Sequence, residues 1–298
     1  MKWSVSDASE FKLCPRKFYY RKVLGWEPLE TPKHLILGNQ YDKMLETWDK
    51  EGCDKALEKV ESLFTVAHDA EDAKVILKKY HETFKDDPLP PVENGNQHGF
   101  GILKGEIKTT GYLDKLSEKE ISGVLQKVVV ERKTTSEPIE ENSAYWERLD
   151  LDPQIRCYVA YLKHRGWPCG WVCYEVIRKL SSTYHASLSK KYSIPIDQYR
   201  SLLAQLKLNK TLVARKWIYV SQEMVEEFEA EHVQTYQMFK VVMDNLPKEE
   251  ALIERDFVKH EKSCNAFGEC EFTGVCKKQC KIEDLGKFKK GEPRFPIA

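Results

Sequence analysis

Apolar residues change their spacing along this chain, and each change of spacing predicts a change of element. Residues 7–22 read as a short helix with Ser6 as N-cap and Asp7 in its first turn. Helical spacing is expected from about Leu35 to Phe64 and again from about Ala70 to Phe84. Residues 86–96, rich in Asp, Pro, Asn and Gly, read as a loop. Beyond them the period falls to two. Residues 101–107 and 110–116 alternate like strands, and residues 126–133 give the strongest strand pattern in the chain. Asp152-Pro153 predicts an N-cap followed by proline in the first helical turn, opening a helix to about His164 that buries Ile155, Val159 and Leu162. Residues 170–177 form a further expected strand, with residues 182–188 as a candidate partner. Helices are expected over 197–208 and 222–245. Helical and strand patterns alternate without repeats or a Gly/Ser linker, which predicts a single α/β domain with helical additions.

Composition adds limits. The chain has 298 residues, 47 basic and 47 acidic, so overall charge gives no reason to expect a polyanionic partner and any such argument must be local. No apolar run reaches the roughly 18 residues of a membrane span. Residues 1–7 hold no apolar h-region, so an intracellular, cytoplasmic setting with reduced thiols is expected. Cys53, Cys157, Cys169 and Cys173 stand among apolar or helical residues and read as small packing groups. Cys264, Cys270, Cys276 and Cys280 are clustered, while Cys14 stands alone near the other end.

Asp114 ends one strand, and Glu131 and Lys133 are two residues apart on the next, so the latter two leave the same face. Carboxylates on neighbouring strands can hold an oxygen-seeking divalent cation such as Mg²⁺, and a lysine beside them can orient an attacking water. These are the parts of metal-assisted phosphodiester hydrolysis. Gln154 and Tyr158 lie one helical turn apart, opposite the apolar stripe of their helix, and are long enough to reach a ligand at the sheet edge. Between Phe11 and Trp26 there are five basic residues (Lys12, Arg16, Lys17, Arg21 and Lys22) and no acidic one, interleaved with aromatic rings. Such a segment can meet phosphates and stack on unpaired bases, and the basic stretch from Lys277 onward can add to it.

The order Asp114, Glu131-Arg132-Lys133, Gln154 and Tyr158 resembles the PD-(D/E)XK nucleases, and within them the RecB-like branch. Residues 4–20, with Cys14-Pro15, resemble the opening of that branch's iron–sulfur members, related to the CRISPR-associated and phage iron–sulfur exonucleases. The resemblance implies a restriction-endonuclease-like core over about 35–195, a mixed sheet flanked by helices, with a helical segment over about 196–250. It implies a deoxyribonuclease, an exonuclease acting on single strands or strand ends in recombination, repair, phage replication or CRISPR adaptation. A helicase or another protein of such a pathway is the expected partner. Asp42, Asp114, Glu131 and the Arg132 carbonyl would hold Mg²⁺ or Mn²⁺, with Lys133, Gln154 and Tyr158 completing the catalytic group. Asp42 stands four residues after Gly38, where the family has histidine, and Leu113 replaces the proline of the family name.

The resemblance also implies a [4Fe–4S] cluster on one early and three late cysteines, here Cys14, Cys264, Cys270 and Cys276, joining residues 1–30 to 255–285. The turns at Phe267-Gly268 and Gly274 favour this set over one using Cys280. A zinc site in the same cysteines is the alternative. A non-catalytic DNA-binding or assembly subunit that keeps fold and cluster is the alternative function.

Overall fold

The computed structural model describes residues 2–180, 195–205, 211–247, 250–265 and 269–297. In chain order it contains α1 (Val5–Leu13), α2 (Pro15–Phe18), β1 (Trp26–Pro28), α3 (Lys33–Glu51), α4 (Cys53–Leu63), α5 (Ala67–Phe84), β2 (Pro91–Lys104), β3 (Ile107–Ile121) and β4 (Val124–Thr135). Then come α6 (Ala144–Leu149), α7 (Pro153–His164), β5 (Cys169–Arg178), α8 (Ile196–Gln205), β6 (Val213–Tyr219), α9 (Gln222–Asp244), α10 (Glu250–Asp256), α11 (Thr273–Cys276) and β7 (Phe288–Lys290). The chain forms two compact units. One comprises residues 33–100 and 112–225, and the other residues 1–32, 101–111 and 226–298.

The first unit is α/β. Its strands belong to a five-stranded mixed sheet in the order β2-β3-β4-β5-β6, with β4 and β5 parallel and β3–β4 and β5–β6 antiparallel. Parallel neighbours need a crossover, and here it is α6 and α7. Helix α7 matches its sequence signal: Asp152 accepts a hydrogen bond from the Gln154 amide at 2.9 Å, and Pro153 follows it. Ile155, Val159 and Leu162 are fully buried. On the α3–α5 side, Tyr41, Met44, Val60, Ile76, Leu77 and Tyr80 form the core with Ile177, Tyr199 and Val213.

Several sequence expectations need revision. The stretch from Leu35 to Phe64 is two helices, because Gly52 takes φ +88°, a conformation glycine reaches without steric cost. Strand β2 begins inside the expected loop, at Pro91, and carries Asn94 and Gln97 at positive φ. Strand β6 lies between two expected helices; its residues are partly covered on both faces and give no clean alternation. The candidate strand over 182–188 lies outside the described residues.

The second unit gathers both chain ends around aromatic rings. Trp3 stacks on Phe239 with centroids 5.0 Å apart, and Phe18 stacks on Phe295 at 5.6 Å. The N-cap is Ser4, not Ser6. Ser4 Oγ accepts from the Asp7 amide at 3.1 Å while the Asp7 carboxylate accepts from the Ser4 amide at 2.9 Å, a reciprocal capping box. The expected helix over 7–22 breaks at Cys14, whose backbone is extended before Pro15. Among the described residues, no helix is long and apolar enough to cross a membrane.

Candidate active site

Alternation along β4 sends Glu131 and Lys133 to one face and Arg132 to the other. The β3–β4 ladder ends at the rung Lys115↔Val130, and Asp114 is the next residue of β3. There the Asp114 carboxylate accepts a hydrogen bond from the Arg132 amide at 2.9 Å. The carboxyl group of Asp114 is thereby fixed against the backbone of the Glu-Arg-Lys triplet.

Lys133 Nζ donates to Glu131 Oε1 at 2.6 Å and to Gln154 Oε1 at 3.0 Å. Gln154 Nε2 in turn donates to the Tyr158 hydroxyl. Asp152 caps the helix that carries both, and also accepts from the Tyr174 hydroxyl at 3.0 Å. The lysine is thus aimed by a chain of hydrogen bonds anchored in a helix cap. Burial works against its charge, but Glu131, with Asp152 and Asp114 behind it, raises its pKa. Lys133 therefore stays protonated.

Glu131 is the unusual group. It is 1% exposed, and its second oxygen, Oε2, is buried without a hydrogen-bond partner. Burial and the Asp114 charge push its pKa up to about 8 against the pull of Lys133. A buried carboxylate oxygen with no donor is costly, and a divalent cation is a partner that would relieve it. The two carboxylates of this corner, Asp114 and Glu131, are oxygen donors of the kind that suits Mg²⁺ or Mn²⁺.

Asp42 reaches the same cavity from α3. Gln97 Nε2 donates to one of its oxygens at 2.8 Å, and Arg132 Nη1 stands 3.5 Å from the other. Burial pushes Asp42 up to about 6; Arg132 opposes the shift and Asp114 adds to it. A cavity of about 420 Å³ is lined by Asp42, Asp114, Glu131, Arg132, Lys133 and Gln154, among others. Tyr158 acts from behind Gln154. Among the described residues, no three His, Cys, Asp or Glu side chains stand together in an arrangement that would hold a metal ion as they are.

Beneath the cavity lies a feature the sequence did not announce. Arg132 and Lys115 each reach two buried carboxylates, Asp49 and Glu175, and Arg215 pairs with Glu175 as well. Arg132 also donates to Asp49 through Nη2, and Glu175 accepts from the Tyr80 hydroxyl at 2.6 Å. Burial would raise the pKa of Glu175, but Lys115, Arg132 and Arg215 together hold it down at about 2. The alternation of charge along these strands is that of a solvated face, so only the packing of α3 and α5 over it reveals a buried network.

In the other unit, Cys14, Cys264, Cys270 and Cys276 line one cavity of about 80 Å³, and Cys280 does not line it. Burial raises the pKa of Cys276; Arg16 opposes this, and the nearby Cys270, Cys14 and Cys264 add to it. Four thiols around one small space are a donor set that fits an iron–sulfur cluster. The basic residues of this end are already paired. Arg16 donates to Glu254 at 2.5 Å and to the Phe257 carbonyl, Lys17 to Glu271 and Arg21 to Glu10. Lys22 lies near Asp7 and Glu10, and Lys12 lies 3.6 Å from Glu231 in an exposed pair. Phe11, Phe18, Tyr19 and Tyr20 are buried in the core of the unit rather than displayed.

Among proteins of curated function, none matches the sequence. A solved structure described as "Crystal structure of SSO0001" aligns with 93% of this chain and 96% of its own, at 10% identity and a TM-score of 0.28, too low to support an argument. The family model of the PD-(D/E)XK nuclease superfamily matches residues 2–277, and that span takes in the carboxylates, the Glu-Arg-Lys triplet and the Gln154–Tyr158 turn described above. With nearly the whole sequence matched and a mixed sheet carrying those residues at its strand ends, this chain belongs to the PD-(D/E)XK nuclease superfamily.

Proposed function

We propose that this superfamily member is a Mg²⁺- or Mn²⁺-dependent deoxyribonuclease, an exonuclease working from strand ends, that carries a [4Fe–4S] cluster. The observation that carries the reading is the buried, unpartnered Glu131 Oε2 beside an aimed, protonated Lys133. Asp42, Asp114, Glu131 and the Arg132 carbonyl are the proposed cation ligands. A divalent cation held there lowers the pKa of a bound water and neutralises charge on the phosphoryl oxygens. Lys133, already protonated, is not the base. It donates to the attacking water or to a non-bridging phosphoryl oxygen. Gln154 and Tyr158 keep its ammonium pointed at that spot, and such fixed donors act mainly on the transition state.

The cluster is proposed on Cys14, Cys264, Cys270 and Cys276, with the shared cavity as support. Lys12, Arg16, Lys17, Arg21 and Lys22 are proposed to meet DNA by exchanging a carboxylate partner for a phosphate. Lys12 is the readiest of them, because its pair is long and exposed.

The test is protein purified without oxygen and assayed on linear and circular DNA with Mg²⁺ and with Mn²⁺. Loss of linear but not circular DNA is expected. An inert protein with either metal would defeat the reading. The rival, a non-catalytic DNA-binding subunit, draws on the engagement of Asp42 by Gln97 and Arg132. It predicts binding without cleavage in the same experiment.

A further inference from the structure

The active-site cavity is lined by one more cation than the chemistry uses. Arg132 is committed to Asp49, Glu175 and Asp42, and Lys133 to Glu131 and Gln154. Lys179 lines the same cavity. Among the described residues its ammonium has neither a carboxylate nor a hydrogen-bond partner. Burial alone acts on it, lowering its pKa, with no acidic group pulling the other way. A half-buried, unpaired lysine costs free energy unless an anion arrives to meet it.

Its placement is fixed. The Lys179 amide donates to the Thr135 carbonyl at 2.7 Å, which ties it beside the end of β4. Leu180 next to it is buried. Glu175, Ile177 and Lys179 follow the two-residue alternation of β5 and all line the cavity, whereas Arg178 turns away to donate to Glu140 at 3.0 Å. Glu175 is the register partner of Arg132 and Val176 that of Lys133. Lys179 is therefore on the Arg132 face, three residues further along than the partner of Lys133. That is roughly 10 Å of chain at about 3.3 Å per residue. The two lysines thus leave the strand ends from opposite faces of the sheet, with Lys179 the further along.

We propose that Lys179 is a substrate-binding residue that grips a backbone phosphate of the nucleic-acid strand next to the scissile one. The inference rests on the nuclease reading and adds to it a path for the strand across the ends of β4 and β5.

The test uses the full-length protein, a single-stranded DNA oligonucleotide, and Ca²⁺ in place of Mg²⁺ to hold the substrate uncleaved. Binding is followed by fluorescence anisotropy over a series of salt concentrations. One phosphate contact contributes about 0.7 to the slope of log affinity against log salt for single strands. Lys179→Gln should weaken binding roughly tenfold, as loss of a charge-assisted contact does, and flatten the slope by about that amount. Lys179→Arg should retain both. In turnover with Mg²⁺, Lys179→Gln should raise KM more than it lowers kcat. Unchanged affinity and slope in Lys179→Gln overturn the proposal. So does a loss of affinity with an unchanged slope, which would mark a structural role, and so does an equal loss in Lys179→Arg. Should Lys179→Gln fold poorly, as judged by circular dichroism, the affinity and salt slope of Lys179→Met, set against wild type and Lys179→Arg, decide in the same way. A wild type that neither binds nor cuts DNA would instead refute the nuclease reading, and the two failures are told apart by that control.

Discussion

Replacing Glu175 by glutamine should destabilise the α/β unit far more than an isosteric change ordinarily does. Glu175 is 1% exposed. Its carboxylate accepts from Arg215 at 2.6 and 3.0 Å and from Tyr80 at 2.6 Å, with Arg132 and Lys115 at 3.5 and 3.6 Å. Its pKa falls from an ordinary 4.5 to about 2. At about 1.4 kcal/mol per pH unit, the ionised carboxylate contributes ~3 kcal/mol to stability. Because the folded value is the lower one, that contribution is complete above pH ~4.5 and drains away as the pH falls toward 2. Glutamine removes it at every pH and leaves Lys115 and Arg132 to Asp49 and Arg215 to Asp87, for an expected cost of roughly 3–5 kcal/mol near neutral pH. Five of the seven tryptophans lie in residues 33–225, so fluorescence during urea denaturation reports chiefly on the right unit. The stability gap between wild type and variant should be wide near neutral pH and close as the pH drops below about 4. A gap under about 1 kcal/mol, or one that does not narrow in acid, would show that the ionised network does not stabilise the unit.

Lys133→Ala and Asp114→Ala should each lower kcat at least a hundredfold, roughly the effect of removing one fixed transition-state donor, with circular dichroism unchanged; wild-type rates in either would dissolve the assigned site. Asp42→His, which installs the family's ligand, should keep measurable cleavage, and a well-folded but dead variant would break that alignment. Asp42 and Glu131 are raised to about 6 and about 8 without metal, and cations bind the deprotonated forms. Calorimetric Mn²⁺ affinity should therefore rise with pH across that interval, with proton release; a flat profile would contradict the carboxylate ligands. Anaerobically purified protein should be brown and carry close to four irons, as a four-thiolate cluster implies. Cys14→Ser and Cys270→Ser should both bleach it, while Cys280→Ser should leave the colour, and full iron content in Cys14→Ser would exclude Cys14.

Much of the chemistry was legible because it depends on short spacings. Two residues on a strand put Glu131 and Lys133 on one face, and four on a helix bring Gln154 to Tyr158. What escaped depends on partners far apart in sequence. The basic run from Lys12 to Lys22 contains no acid, yet Glu254, Glu271 and Glu231 reach it from more than 200 residues away. Lys115 and Glu175 find Asp49 on α3 and the Tyr80 hydroxyl on α5, partners that the pattern of their own strands does not name. Strand β2 begins within an Asp/Pro/Asn-rich stretch because pairing with β3 overrides local turn preference.

The aromatic unit imposes an order on biosynthesis. Tyr19 rests on Phe257, Tyr20 on Phe272 and Phe18 on Phe295, so these rings wait for partners made more than 200 residues later. At a bacterial or eukaryotic pace of about 5–20 residues per second, those rings leave the ribosome roughly ten to fifty seconds before their partners. Residues 33–225 hold most of what the α/β unit needs and can condense in that interval. The nascent chain thus carries an uncovered aromatic segment while its middle folds, and transiently exposed apolar surface of that kind favours aggregation.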